Sequence, residues 1–237
     1  MLHTYFTEIL NSAKRREYLV RSMYQDRYAQ FYDRLGWELS ITINGLEFDE
    51  YDDHHTTYVV VSDQDEHLGS FRLRSVQCGT MISDHFAKEL PATNTYIKQN
   101  GKGAFEITRF LCKPNLSMHE RSVVMSLLAE GFDQAWKDLQ CRSVVGVVFP
   151  AIFRLLRRAG FSASVIENER LDSRRVISFA LQKSDCRRAM ASHRYQTFMP
   201  DISIFKPALL GSVGLCCTKR LMSGVPLSPD GFIPQFL

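Results

Sequence analysis

Residues 104–160 read AFEITRFLCKPNLSMHERSVVMSLLAEGFDQAWKDLQCRSVVGVVFPAIFRLLRRAG, and the periodicity changes along them. Residues 104–112 alternate as a strand does, with Glu106, Thr108 and Phe110 on one side and Ile107, Arg109 and Leu111 on the other. Two charges in so apolar a strand fit either an edge strand with solvated charges or an interior strand with charges put to use. Ser117 and Glu120 form a capping box, which predicts a helix to about Leu139 with Val123, Val124, Leu127, Leu128, Phe132, Ala135 and Trp136 turned inward. Residues 143–149, SVVGVVF, are a continuous apolar run, the mark of a strand covered on both faces. Pro150 suits a first helical position and Gly160 a position just past a helix end.

Working outward, residues 174–182, RRVISFALQ, read as a further strand. Upstream, 57–62 (TYVVVS) and 68–74 (LGSFRLR) read as a hairpin turned at Asp63-Gln64-Asp65-Glu66. In the second of these strands Leu68, Ser70, Arg72 and Arg74 face one way, Gly69, Phe71 and Leu73 the other. A hairpin followed by strand–helix alternation is α/β (α+β) in class, a mixed β-sheet flanked by helices. Residues 5–35 predict one or two amphipathic helices, and residues 83–90 a short helix started by Ser83 or Asp84 and stopped before Pro91. Residues 91–103 read as a loop. Prolines at 200, 207, 226, 229 and 234 break up the end of the chain. The expected organisation is one domain over 1–184 and an irregular C-terminal appendage over 185–237.

The totals exclude several classes. The 237 residues are 45% hydrophobic and 23% charged, as in a globular domain. A formal net charge of +3 gives no support for nucleic acid as a partner. The six cysteines have no paired spacing and read as reduced thiols, and the seven histidines, His54-His55 included, have no ligand spacing, so no metal is expected. The N-terminus lacks the apolar core of a signal peptide, and no segment approaches a membrane span of roughly 20 residues. A cytoplasmic monomer is the simplest expectation.

Charge and aromatic residues concentrate in residues 27–53, RYAQFYDRLGWELSITINGLEFDEYDD. Tyr28, Phe31, Tyr32 and Leu35 recur at helical spacing, Gly36 ends the pattern, and Trp37 follows. Glu47, Asp49, Glu50, Asp52 and Asp53 form an acidic cluster. A turn joining Arg27, Arg34 and Trp37 to those carboxylates would suit a ligand with a cation, a carboxylate and a flat ring. Taken singly, Phe31 and Trp37 read better as core than as a ligand wall, and the Arg–Asp pairs as scaffold.

These residues together resemble the acyl-homoserine-lactone synthases, the LuxI-type autoinducer synthases, over roughly residues 5–183. The resemblance rests on Arg27, Phe31, Arg34-Leu35-Gly36-Trp37 and Glu47-Phe48-Asp49-Glu50-Tyr51-Asp52, then Gly69-Ser70-Phe71-Arg72-Leu73, Phe86, and Glu106-Ile107-Thr108-Arg109-Phe110, in that order. The chain departs from the family at Arg74-Ser75-Val76, where Pro-Thr is usual after the Arg-Leu, and has one residue more between Trp37 and Asp49.

The resemblance implies a GNAT-like sheet under an N-terminal helical cap. The implied reaction acylates the amine of S-adenosylmethionine from an acyl thioester, with acyl carrier protein (or acyl-CoA) as donor. The lactone then closes with release of methylthioadenosine. No cofactor is implied. Arg27, Phe31, Arg34, Trp37, Asp49, Asp52, Arg72 and Phe86 are the expected S-adenosylmethionine residues, with Arg34 or Arg72 able to fork onto its carboxylate. Glu106 is the expected base, and a backbone N–H near Phe110 the expected donor to the thioester carbonyl. Arg109, on the far strand face, is expected to brace carboxylates. Val145 and Val148 are expected to wall the acyl chain. Val148 stands where relatives preferring 3-oxo chains carry Thr, which implies an unsubstituted chain. The loop 113–119 has no glycine to cradle a pyrophosphate, and Arg154, Arg157 and Arg158 offer an acidic carrier protein a docking face; a plain solvated face is the alternative. The competing functions are a GNAT-class N-acyltransferase using acyl-CoA and another amine, and a non-enzymatic binding relative.

Overall fold

The computed structural model describes residues 13–37, 42–158, 161–171, 174–183 and 201–205. The described chain opens with α1 (Ala13–Arg27), which widens into a π-helical segment over Tyr28–Arg34. A two-stranded ribbon follows, β1 (Thr42–Ile43) and β2 (Leu46–Glu47). The main sheet is built from β3 (Thr56–Asp63), β4 (Glu66–Ser75), β5 (Ala104–Cys112), β6 (Ser143–Val148), β7 (Ser164–Leu171), β8 (Arg174–Gln182) and β9 (Asp201–Phe205). Its order is β7-β8-β6-β5-β4-β3-β9, and among the described strands only β5 and β6 run parallel. Helices α2 (Met81–Asp84), α3 (Pro91–Asn100), α4 (Met118–Asp138) and α5 (Pro150–Arg158) complete it.

Both faces of this sheet are covered. On one, α4 lays Val123, Val124, Leu127, Leu128, Phe132, Ala135 and Trp136 onto Val59, Val61, Phe71 and Leu73. The helix comes so close that a Cβ on Gly69 would sit 2.7 Å from Val124 Cγ1. On the other face, Leu19, Val20 and Met23 of α1 pack on Tyr58 and Val60. Strand β6 is buried from both sides because Val144 joins the α4 cluster and Val145 joins Ile82, Ile97 and Ala104. The β3–β4 turn places Gln64 and Asp65 at φ 46° and 75°. Two left-handed residues are what a two-residue hairpin needs to match the strand twist.

A polar clamp also joins α1 to the sheet. His67 Nδ1 lies 2.7 Å from Asp26 Oδ2, and its Nε2 lies 2.9 Å from Ser70 Oγ. The carboxylate can only accept, so Nδ1 carries the proton and Nε2 accepts from the serine hydroxyl. Burial holds His67 below its ordinary pKa of 6.5 even though Asp26 pulls it upward. The unfolded chain therefore binds the extra proton first on acidification, and the stability held by this group is full above that pKa and falls below it. Denaturant midpoints measured from pH 8 down to 5 should fall more steeply for the native chain than for a His67→Gln variant; parallel curves would remove the clamp from the account.

The structure corrects several expectations. Strand β5 is the fourth of seven, so its charges do not lie on an edge. Pro91 starts a helix instead of stopping one: it is the first residue of α3, in the stretch read as a loop. The short helix before it is capped by Thr80 and covers Met81–Asp84, not 83–90. Strand β7 was missed. Strand β9 extends the sheet from within the stretch read as irregular, pairing Asp201–Phe205 with β3; the rest of 185–237 lies outside the described residues, as do residues 5–12. The shared face expected of Tyr28, Phe31, Tyr32 and Leu35 is broken by the π-helical segment: Phe31 is buried while Tyr32 and Leu35 are exposed. Among the described residues no helix is long and apolar enough to cross a membrane, and Cys78 and Cys112 are free thiols.

Candidate active site

Two backbone irregularities create the site. Strands β5 and β6 pair only from Ala104–Ser143 to Ile107–Gly146, then diverge. Gly146 stands at the fork, where a Cβ would lie 2.8 Å from Ile107 Cγ2 and 2.9 Å from Phe179 Cζ. Next to the fork, β5 bulges against β4: Thr108 pairs with Arg72 and Leu111 with Ser70, and Arg109 takes φ 53°. The extra residue turns Arg109 onto the side of Glu106 and Thr108. Phe110 is turned the other way, against the α4 cluster. Alternation had assigned both residues to the opposite faces.

A cavity of about 310 Å³ occupies the opened fork. One end is lined by Gln30, Phe31, Leu35, Trp37, Met81 and Phe86, and the other by Met125, Leu128, Phe132, Val148, Ile152 and Phe161, among others. Glu106, Thr108, Arg109 and Phe110 lie between. The π-helical segment sets the first wall: Trp37 N–H donates to Phe31 C=O at 2.9 Å, and the two rings stack at 4.6 Å and 7°. Arg109 lies over the Phe31 ring, its guanidinium carbon 5.6 Å from the centroid.

Beside this wall is a closed ring of alternating charge. Arg27 bonds Glu47 and Asp52, the latter at 2.9 Å. Arg72 bonds Asp52 at 2.9 Å and also Asp49. Arg109 closes the circuit on Asp49 at 2.8 Å and Glu47 at 2.9 Å. Three guanidiniums and three carboxylates thus neutralise one another, and all six side chains are at least nine-tenths buried. Tyr58 donates its hydroxyl to Asp52, and Arg72 Nε donates to Thr108 Oγ1 at 2.9 Å. Burial alone would raise the Asp52 pKa, but Arg27 and Arg72 hold it far below the usual carboxylate range. Those same carboxylate contacts outweigh burial at Arg27 and Arg72 and keep both firmly protonated.

Glu106 stands outside the ring, fully buried. Its oxygens accept from the N–H groups of Met81 at 3.1 Å and Ile82 at 3.0 Å. Burial is the largest influence and wins over these two donors and Arg72, so its pKa is pushed up from 4.5 to about 7. A carboxyl near neutrality beside this cavity can take a proton from a substrate at working pH.

The sequence-derived candidates divide accordingly. Phe31, Trp37, Phe86, Glu106, Arg109, Phe110 and Val148 line the cavity. Arg27, Asp49, Asp52 and Arg72 form the ring with Arg109 and do not present free forks to a ligand. Arg34 is exposed and donates to Gln30 Oε1 at 3.2 Å, so it does not reach the buried carboxylates. Val145 packs with Ile82 and Ile97 and does not line the cavity. Arg154, Arg157 and Arg158 are exposed along α5. Glu47 completes the ring but was not among the expected site residues; its signals were the acidic cluster and its place at the head of the Glu47-Phe48-Asp49-Glu50-Tyr51-Asp52 motif. Met81 and Ile82 act through backbone amides, which leave no signal in residue type.

The model of the family described as autoinducer synthase matches residues 11–191. An acyl-homoserine-lactone synthase of Yersinia enterocolitica is 27% identical over 154 residues, 64% of this chain and 70% of that one. Another, from Ralstonia nicotianae, is 30% identical over 146 residues, 58% of this chain and 68% of that one. Among solved structures, TofI in a ternary complex with an inhibitor and MTA aligns with TM-score 0.58 at 23% identity, over 73% of this chain and 90% of TofI. The CoA-dependent acyl-homoserine lactone synthase BjaI, with SAM and isopentyl-CoA, aligns with TM-score 0.60 at 17% identity, over 76% of this chain and 87% of BjaI. At those identities the two structures speak for the fold.

Proposed function

The chain belongs to the autoinducer synthase family, and we propose that it is an acyl-homoserine-lactone synthase that acylates S-adenosylmethionine. The observation that carries the substrate assignment is the position of Glu106, between an aromatic end and a wholly apolar end of one cavity. The aromatic end suits adenine and a sulfonium, which an aromatic face attracts. The apolar end suits an acyl chain.

In the first step Glu106, directly or through one water, takes a proton from the ammonium of S-adenosylmethionine. The freed amine attacks the thioester carbonyl, an amide forms, and the thiol leaves with a proton. Backbone N–H groups of β5 beyond the fork are the candidates to stabilise the oxyanion. In the second step the substrate's own carboxylate attacks its γ-carbon, the carbon–sulfur bond breaks, and neutral methylthioadenosine departs as the lactone closes. The ring keeps Arg72 and Arg109 in place beside Glu106 without adding net charge. No cofactor takes part. Among the described residues that line the apolar end, Val148, Met125, Leu128, Phe132, Ile152 and Phe161 carry no hydroxyl, which supports an unsubstituted acyl chain.

The donor is proposed to be acyl carrier protein, held by Arg154, Arg157 and Arg158; acyl-CoA is the second reading, favoured by the CoA-dependent BjaI at similar fold. Incubation with S-adenosylmethionine and acyl thioesters should release one methylthioadenosine per thiol and give a lactone by mass spectrometry. Thiol release without methylthioadenosine would make the chain a plain N-acyltransferase. Reversing the three arginines to Glu should raise KM for carrier-borne donor by about tenfold or more, and by less for acyl-CoA. Equal effects would leave the α5 face a general anion surface.

A further inference from the structure

The turn between β2 and β3 brings together three metal-ligating side chains that the mechanism does not use. Consecutive residues on a strand point to opposite sides, but Asp53, His54 and His55 lie on a turn. Asp53 Oδ1 accepts the His55 N–H at 2.9 Å, and the Asp53 carbonyl accepts the Thr56 N–H at 3.0 Å. The curled backbone gathers the side chains: one ligand atom from each residue lies within 4.8 Å of the other two, and the imidazole centroids are 3.7 Å apart. Both histidines are exposed and the carboxylate is partly so. Arg74 fixes that carboxylate from behind, at 2.5 Å to Oδ1 and 3.2 Å to Oδ2.

We propose that Asp53, His54 and His55 form a binding site for a divalent transition-metal ion of the zinc, nickel or copper class. Two imidazoles and one carboxylate are the donors these ions select, whereas calcium and magnesium require an all-oxygen shell. A tetrahedral ion with metal–ligand distances of about 2.0–2.1 Å needs its donors about 3.3 Å apart. Exposed imidazoles reach that spacing by side-chain rotation. Arg74 and the His55 N–H together occupy Asp53 Oδ1, while Oδ2 accepts only from Arg74 and keeps a lone pair for a cation. Solvent supplies the fourth position.

The site lies one contact from the catalytic framework without belonging to it. Arg74 also donates to Gly79 C=O at 2.7 Å and Cys78 C=O at 2.9 Å, holding the segment that leads into Met81 and Ile82, the amide donors to Glu106. An ion on Asp53 therefore ties the turn to this segment.

Calorimetric titration of the full chain with zinc, in a buffer that does not bind the metal, tests this independently of the substrate assignment. The native chain should bind one ion, and a His54→Ala/His55→Ala double variant should bind it about tenfold or more weakly, since two of three protein donors are gone. Zinc should raise the melting temperature of the native chain and not that of the variant. Cobalt(II) in place of zinc should give a spectrum without thiolate charge transfer. Equal affinity in the double variant, a thiolate band that accompanies saturation, or no binding by the native chain would each overturn the site.

Discussion

Glu106→Gln should lower turnover by about 10²–10⁴-fold with saturating substrates, the range expected for a positioned general base, while the chain still folds. The amide has the shape of the carboxylate but cannot take the proton from an ammonium. It also keeps only one acceptor for two donors, Met81 N–H and Ile82 N–H. Facing an N–H with an NH2 costs about 1–3 kcal/mol, and a pH term works against that cost. Glu106 has its pKa raised from 4.5 to about 7, so the folded chain binds this proton more tightly than the unfolded chain. Its contribution to stability is full below 4.5 and falls as pH rises through 7. The variant does not titrate there, so its stability deficit should be smaller at pH 8 than at pH 5. In the native enzyme kcat/KM should rise with pH through about 7 and level off above it, where the carboxylate is ionised. That step should vanish in the variant. Native turnover in Glu106→Gln would end the base assignment.

Much of the fold was legible because its signals are local. The capping box at Ser117–Glu120, the apolar face of α4 and the SVVGVV run each occupy a single element and leave a pattern there. What escaped depends on partners distant in the chain. The alternation of 104–112 put Arg109 opposite Glu106, and one residue at φ 53° reversed it. No propensity marks a bulge in advance when the residue is not glycine. Strand β7, SVIENERL, lies at the sheet edge with mostly exposed side chains, so it lacks the alternation that betrays a half-buried strand. Pro91 is equally at home after one helix and at the start of another; here the Glu167 carboxylate accepts from Thr93 N–H at 2.8 Å, settling the matter from 74 residues away. The site was legible as a set of residue types and not as a set of contacts. The resemblance suggested Arg34 as a fork onto the substrate carboxylate, yet the π-helical segment carries it outside.

Arg72→Met should have the largest effect on stability, about 3–5 kcal/mol, the cost of leaving a buried charge without its partner. The side chain touches two carboxylates, Asp49 and Asp52, and its loss opens the ring at the point where they meet. Asp49 keeps Arg109 and Asp52 keeps Arg27, so neither carboxylate is abandoned. The ring nonetheless passes from neutral to one net negative charge in a space closed to water, and methionine has no proton to offer Thr108. For a chain of this length the loss corresponds to a melting temperature lower by roughly 6–20 °C. Neutralising a partner as well, in Arg72→Met with Asp52→Asn, should recover part of the loss, because the net charge returns to zero. That separates a charge-balance role from simple packing: if the double variant is as unstable as the sum of the singles, the ring is not one electrostatic unit. A kinetic consequence follows from the same contact. Arg72 draws the Glu106 pKa downward against burial. Without it the pKa rises further, and the activity remaining in Arg72→Met should reach its plateau at a more alkaline pH than the native enzyme. A loss below about 1 kcal/mol, typical of solvated ion pairs, with an unmoved pH profile, would show that the ring neither holds the fold nor tunes the base.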